Sequence, residues 1–461
     1  MAFTSDSIVA LSTPPGRSGI GVIRISGPAS LAILKKLTAD DSFAPQPNFL
    51  TLRALFDPFS GETLDEALVC YFQAPHSFTG EDVVEFHCHG SPILLRKIVD
   101  IALTLDARLA DPGEFSLRAV SNGRMQLTEA EAIRDLINAQ TDAAARQATR
   151  QLKGEISHRL QPAKDDLLKI IVRLESSLEF VEDDLPQLEQ DQIESQLREL
   201  RDDLKALAET FARGRLLHDG LKVALVGRPN VGKSSLFNML LGHGRAIVTD
   251  VPGTTRDTIA EPIGIDGVPI SLIDTAGIRD STDQIESIGV DRTRRTAADA
   301  DVLIVVIDGS ESFTQEDEIV MSEVADKTHI VAINKSDLDT YTVSILPEER
   351  RGENGNRIGS VSVSAITEEG LTELRAAILK PFANGVGGRE GLLITNARHH
   401  DLLLRSVAAI ESSERLVKQR ASEELILVGL HNALRYLGEI TGETTTEDIL
   451  GRIFATFCIG K

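Results

Sequence analysis

Gly227-Arg228-Pro229-Asn230-Val231-Gly232-Lys233-Ser234 is the stretch that decides how this chain is read. An apolar run, Leu221 to Val226, leads into it, and Ser235-Leu236-Phe237-Asn238-Met239-Leu240-Leu241 follows with a helical pattern. This is G-x-x-x-x-G-K-[ST] in the strand–loop–helix setting that a phosphate-binding loop needs. The two glycines let the backbone curl so that N–H groups from Asn230 to Ser235 face a polyphosphate. The helix N-terminus adds positive potential at the same place. Lys233 can reach the β- and γ-phosphates, and the Ser234 hydroxyl can ligate Mg²⁺. A P-loop domain of alternating strands and helices is therefore expected around it.

Four further elements follow in a consistent order. Gly253-Thr254-Thr255-Arg256-Asp257 offers a threonine hydroxyl to Mg²⁺. Asp274-Thr275-Ala276-Gly277 follows an apolar strand; the aspartate can hold Mg²⁺ through water, and the glycine N–H can sense the γ-phosphate. Asn334-Lys335-Ser336-Asp337 places a carboxylate that can accept the ring N–H and the exocyclic amine of guanine, a pair that adenine lacks. Ser364-Ala365 can supply a backbone N–H to the guanine carbonyl. The set predicts a GTP-binding domain; an ATPase without the Asn-Lys-x-Asp element is the competing reading. Ile278, directly after Gly277, cannot orient a water, whereas Glu286 can do so through a second water. The charge that builds during phosphoryl transfer still needs a cation. Asn230 offers a side-chain oxygen to a monovalent ion beside the phosphates, or else only shapes the loop.

Around this core the chain divides by pattern. Residues 1–118 mix short strands (Ile8–Leu11, Gly21–Ile25, Ala67–Phe72, Val83–His89) with helices at Ser30–Leu37 and Pro92–Leu105, which predicts an N-terminal α+β domain. Residues 119–218 read as the first part of a helical domain. It opens at a capping box, Thr128-Glu129-Ala130-Glu131, and carries two apolar stripes that meet at Pro186 as antiparallel bundle helices. Residues 219–383 form the α/β domain, with strands expected near 221–226, 259–265, 268–274, 302–308, 329–334 and 360–364. Helical periodicity returns over 384–461. The expected fold class is α/β plus α: an α+β domain, a central helical bundle, and a Ras-like P-loop GTPase domain inserted into the bundle.

Composition bounds the function. The net charge of −22 argues against a broad basic surface for nucleic acid. No apolar run approaches the roughly 18 residues of a membrane helix. The N-terminus lacks a secretory pattern and three cysteines are too few for a disulfide framework, so a cytoplasmic location is expected.

The flanks narrow the choice among GTPases. Thr13-Pro14-Pro15-Gly16-Arg17-Ser18-Gly19-Ile20-Gly21-Val22-Ile23-Arg24-Ile25-Ser26-Gly27 resembles the start of the MnmE (TrmE) family. So do Ser77-Phe78-Thr79-Gly80-Glu81-Asp82, His89-Gly90, Pro112-Gly113-Glu114-Phe115, Arg118, Asn122-Gly123-Arg124 and Glu129 to Ile133. The end, Leu450-Gly451-Arg452-Ile453-Phe454 through Phe457-Cys458-Ile459-Gly460-Lys461, looks like that family's Cys-x-Gly-Lys signature. The resemblance spans the chain and is weakest near 155–210.

The resemblance implies a tRNA-modifying GTPase. With an FAD-dependent partner, MnmG, such proteins install an aminomethyl or carboxymethylaminomethyl group on C5 of the wobble uridine of certain tRNAs. It implies a homodimer formed through the N-terminal domain and a heterotetrameric or larger complex with the partner; the acidic net charge points to tRNA contact mainly through that partner. GTP, Mg²⁺, K⁺ and a 5-formyl- or methylene-tetrahydrofolate are the implied substrate and cofactors. Asn230, Thr249, Val251 and Thr254 match the potassium site, Ser234 and Thr255 the Mg²⁺ ligands, and Glu286 the catalytic glutamate. Arg24, Glu81, Arg124 and Lys461 match the folate residues; Arg124 stands where the family often has lysine, which keeps the charge and changes the geometry. Cys458 is either a thiol near the folate carbon or a packing residue. A reading of another class, a regulatory GTP switch in ribosome assembly or RNA binding without modification chemistry, shares the nucleotide domain but does not account for the two termini.

Overall fold

The computed structural model describes residues 6–179, 187–244, 260–274, 300–341, 356–382, 391–443 and 447–460. Contacts divide the chain into two compact units. One comprises residues 1–134, 151–164 and 434–461, the other 135–150 and 165–433.

The first unit is built on the strands β1 (Ser7–Leu11), β2 (Ser18–Ser26), β3 (Leu50–Phe56), β4 (Thr63–Phe72), β5 (Val83–Gly90) and β6 (Ala107–Leu109). Their order in the sheet is β3-β4-β5-β2-β1-β6, antiparallel except for the β1–β6 pair. The pleat sorts alternate residues to opposite faces. Ile23, Ile25, Val69, Val84 and Phe86 meet Ile33, Leu34 and Leu37 of α1 (Ser30–Leu37) and Leu95, Ile98 and Ile101 of α2 (Pro92–Thr104). The strands expected from alternation are present and longer than expected, and the polar-flanked β3 and three-residue β6 join them.

After α3 (Glu114–Ser121), α4 (Leu127–Asn138) starts one residue before the expected capping box. The cause is burial. Leu127 is fully buried with Ala130 against Phe454 and Phe457 from the chain's C-terminal end. Thr128 is thereby drawn into the first turn, its hydroxyl 3.4 Å from Ser157. Glu129 instead reaches back to the Gln126 N–H at 2.9 Å, so the box at Thr128–Glu131 does not form.

α5 (Asp142–Leu152) and α6 (Glu155–Glu179) precede α7 (Gln187–Glu209) and α8 (Phe211–Asp219); of this stretch residues 142–150 and 165–219 belong to the second unit. The turn expected at Pro186 lies outside the described residues. The nucleotide-binding part contains β7 (Leu221–Val226), α9 (Lys233–Gly244), β8 (Ala260–Ile265), β9 (Val268–Asp274), β10 (Val302–Asp308), α10 (Gln315–Glu323), β11 (His329–Asn334), β12 (Arg357–Ser362) and α11 (Leu371–Leu379). Its sheet order is β12-β11-β10-β7-β9-β8, parallel except for the β8–β9 hairpin. β10 shows why the strands read as unbroken apolar runs: Val302, Ile304 and Val306 enter one core and Leu303, Val305 and Ile307 the other. β12 is placed at 357–362 and not at 360–364, because Val363 makes one last bond to Ile333 and the Ser364 N–H closes a turn on Glu369 O.

Helix α12 (Ala397–Lys418) packs chiefly along α7, and α13 (Glu423–Thr441) follows it. The entry to and exit from the nucleotide-binding part are tied together. Phe211 stacks on His400 at 4.2 Å between centroids, and the Ile394 N–H bonds Thr210 Oγ1 at 3.1 Å. At the last turn of α8, His218 Nε2 lies 3.2 Å from the buried Asp135 carboxylate and Nδ1 2.7 Å from Asp219. The hydrogen bond to Asp135, against the opposing effect of burial, raises its pKa from 6.5 to about 9.

A histidine whose folded pKa lies above its unfolded value stabilises the fold fully below pH 6.5, and that contribution is lost as pH rises through about 9. The melting temperature should therefore fall between pH 6.5 and 9.5, and His218→Gln should flatten that slope. Parallel slopes for the two proteins in differential scanning calorimetry would show that the pair carries no net stabilisation.

Candidate functional site

The loop after β7 meets the C-terminal ends of β10 and β11, the edge at which open α/β sheets take ligands. Gly227 (φ +153°) lets the chain leave the strand where a side chain would come within 2.5 Å of Val306 O. Asn230 (φ +66°) and Gly232 (φ +95°) complete the curl. Lys233 begins α9, and its Nζ donates to Gly227 O (2.8 Å) and Arg228 O (2.7 Å), which holds the ammonium across the loop mouth. Asn230, Ser234 and Ser235 are exposed at that mouth, while Val231 is fully buried and anchors the loop from beneath.

Asn334, Asp337 and the segment Ser364-Ala365 come together in the structure. Asn334 is 2 % exposed. Its Nδ2 donates to Val231 O (2.9 Å), and its Oδ1 accepts the Ala365 N–H (3.1 Å). One carboxamide thus joins the phosphate loop to the segment after β12. The Ala365 N–H is directed to Asn334 in this structure. Asp337 is exposed, with Oδ1 accepting the Ser364 hydroxyl at 2.6 Å, which orients its carboxylate. Lys335, in the left-handed region at φ +69°, pairs with Asp308 at the end of β10. That contact and Ser310 outweigh burial and hold the Asp308 carboxyl below its ordinary value. Asp308 carries no motif, but as the last residue of an apolar strand beside Asn334 it was legible in principle. Arg228 pairs with Glu311 (2.6 Å) on the far side of the loop.

Of the other nucleotide candidates, Thr249, Asp250, Val251, Pro252, Gly253, Thr254, Thr255, Thr275, Ala276, Gly277 and Glu286 lie outside the described residues. Asp274 is described as the final residue of β9. The described candidate cation ligands, Asn230 and Ser234, present oxygen donors at the exposed loop mouth, which suits hard cations.

A second constellation forms in the first unit around residues 77–82. The Glu81 carboxylate accepts from Arg118 Nη1 at 3.1 Å to each oxygen and from Ser26 Oγ at 2.7 Å. Arg124 Nε donates to Ser77 O (3.1 Å). Arg24 bonds Glu85 (Nε to Oε1, 2.8 Å) and lies over the rings of Phe78 and Phe115 at 5.4 and 5.7 Å. Its Nη1 also reaches Gly460 O at 3.4 Å, and Ser12 Oγ donates to the same carbonyl at 3.2 Å. Three of the four candidates so converge on one loop; the fourth, Lys461, lies outside the described residues and follows Gly460. Cys458 is exposed and its carbonyl accepts the Gly113 N–H, so its thiol is not a core packing group. Cys70 and Cys88 are buried, and burial pushes the Cys88 thiol up to about 12. Among the described residues no group of histidines, cysteines and carboxylates has the makings of a metal cluster, and no helix is long and apolar enough to cross a membrane.

Two family models match the chain: the TrmE N-terminus, described as a GTP-binding protein, over residues 7–124, and the MnmE helical domain over residues 127–458. Among curated proteins, the tRNA modification GTPase MnmE of Koribacter versatilis is 46 % identical over 99 % of both chains. Those of Aquifex aeolicus and Natranaerobius thermophilus are 42 % and 40 % identical over 99 % of this chain and all of theirs.

A methyl group added at Gly232 would land on Asn334 Nδ2 in a backbone conformation that L residues rarely adopt. Gly232→Ala is therefore expected to weaken GTP binding at least about tenfold, given strain of 1–3 kcal/mol at such positions. Titration with a fluorescent guanine nucleotide checks this; wild-type affinity would mean that the loop and Asn334 are not locked to one another.

Proposed function

This chain belongs to the MnmE family of tRNA modification GTPases, and from that premise we propose its full activity. It is a K⁺-activated GTP hydrolase that works with an FAD-dependent, MnmG-type partner. Together they form the 5-aminomethyl or 5-carboxymethylaminomethyl group on the wobble uridine of certain tRNAs, and a tetrahydrofolate derivative supplies the carbon. The observation that carries this reading is the pairing of two sites on one chain: a guanine-type P-loop site, and a carboxylate with two arginines gathered on the loop at 77–82. A GTP switch without modification chemistry has no use for the second.

In this reading Lys233 neutralises the β- and γ-phosphates, Ser234 and Thr255 hold Mg²⁺, and Asn230, Thr249, Val251 and Thr254 hold K⁺. When bound, the monovalent cation supplies the positive charge that an arginine finger supplies elsewhere. Glu286 orients the attacking water, and Asp337 selects guanine. Glu81 meets the amidine-like edge of the pterin, and Arg24, Arg124 and Lys461 meet the rest of the folate. Cys458, exposed beside Gly460, is free to act near the folate carbon.

The homodimer reading is supported by the sheet face that α1 and α2 leave uncovered. Leu52 pairs with Leu68, Leu68 with His87, and His87 with Val22 across four strands. Leu50, Leu52 and Ile20 on this face are more than half exposed. Such a contiguous apolar surface suits a second copy. The net charge of −22 supports tRNA contact chiefly through the partner. The four-part division at residues 118, 218 and 383 and a cytoplasmic location belong to the same proposal.

GTP hydrolysis is expected to be faster in KCl than in NaCl at matched ionic strength and to rise more than linearly with protein concentration. Asn230→Ala should remove the K⁺ stimulation and retain GTP binding. A rate indifferent to the cation would sink the potassium assignment and leave hydrolysis dependent on another positive group.

A further inference from the structure

Arg118 is the largest fully buried side chain in the described structure. Its guanidinium joins three carboxylates: Asp6 (Nη2 to Oδ1, 2.8 Å), Glu114 (Nη2 to Oε1, 2.9 Å) and both oxygens of Glu81. Arg108 closes the cluster by pairing with Asp6 and Glu114. The Asp6 oxygens each receive a guanidinium N–H, and Glu114 receives five donors including the Asp111 N–H. Glu81 differs: its Oε1 has a share of one N–H from Arg118, and its side chain keeps 22 % exposure against 5 % for Glu114, so acceptor capacity remains on its accessible side.

A second contact fixes the same carboxylate from another direction. Ser26 and Thr79 are both fully buried, with their hydroxyl oxygens 2.7 Å apart. A hydroxyl has one proton to donate. The Glu81 carboxylate in its ion pair can only accept, so Ser26 donates to Oε2 and must accept from Thr79. Thr79 Oγ1 in turn accepts the Glu81 N–H at 3.2 Å. The ring Glu81 N–H to Thr79 to Ser26 to Glu81 Oε2 leaves the carboxylate one orientation. The cluster also stands at three carboxylates against two guanidiniums, a residual negative charge beside a group with spare acceptors.

We propose that Ser26 and Arg118 are positioning residues that aim the free edge of Glu81 at a ligand carrying two adjacent N–H donors, the 2-amino and ring N–H edge of a reduced pterin. This rests on the folate reading above and adds to it the machinery that makes Glu81 selective. A carboxylate held by fixed donors loses little freedom on binding, and a charged acceptor that a ligand covers but leaves unmatched, as an analogue without the amino group would, is costly.

The test is calorimetric titration of the full-length protein with 5-formyltetrahydrofolate and with its 2-desamino analogue. Ser26→Ala is expected to weaken binding of the first about tenfold, the scale of one hydrogen bond to a charged group, and to leave the second unchanged. In a Glu81→Gln background Ser26→Ala should add nothing, because it acts only through that carboxylate. Arg118→Lys, which cannot fork to three carboxylates, should erase the same selectivity. Circular dichroism melts report whether each variant folds; if Arg118→Lys does not, the Ser26→Ala cycle alone decides. Equal losses for both ligands, or a Ser26→Ala effect that persists without Glu81, would overturn the positioning role while the folate reading stands. Absence of binding by the wild-type protein would remove the folate reading and this proposal with it.

Discussion

The nucleotide site depends on one buried carboxamide. Asn334 places its Nδ2 on Val231 O and its Oδ1 on the Ala365 N–H, so phosphate loop and base loop share a single rigid reference. Both bonds are shielded from water, where an unmatched amide would cost a few kcal/mol, and neither end of the side chain has an alternative partner in solvent. Gly232 exists as glycine because Asn334 occupies the space a side chain would take. Strand pairing carries this arrangement further down: Asp308 stands opposite Asn334 in the β10–β11 ladder, which is why Lys335 finds it.

The first unit solves a different problem by similar means. Five charged groups, Asp6, Glu81, Arg108, Glu114 and Arg118, come from a strand flank, a loop, a short edge strand and a helix. Of the five only Arg118 and Glu114 are buried, and burying such charges is tolerable only when they are matched, as these two are by one another. The close fit of Gly113 against Phe454 and Phe457, and of Gly460 against Leu11 and Ser12, brings the C-terminal residues to the same region. Residues from Phe454 to Gly460 thereby stand beside Ser12, Arg24 and Gly113, far from them in sequence.

The loop after β7, the meeting of Asn334 with it and of Asn334 and Asp337 with the segment after β12, and five of the six strands of that sheet were legible because each depends on local chemistry. Glycine is needed where φ is positive, apolar residues fill strands buried on both faces, and a short motif carries its own geometry. Arg118 was visible only as a matching letter. Its role rests on carboxylates at positions 6, 81 and 114, and only Glu114, four residues away on the same helix, announces itself by spacing. The capping box at Thr128 was misread for a related reason: the local pattern was sound, and a long-range contact between Leu127 and Phe454 moved the helix start.

By itself the sequence determined the P-loop domain, its guanine preference and its insertion in a helical surround, since these follow from periodicity and motifs that act over a few residues. Tertiary structure alone decided which charges meet. It set Glu81 against Arg118 and Ser26, turned Asn334 inward to bind two loops, and exposed Cys458 rather than packing it. The reason is physical: backbone preference is a local energy, whereas the matching of a buried polar group is settled by whatever segments the fold brings within hydrogen-bond distance.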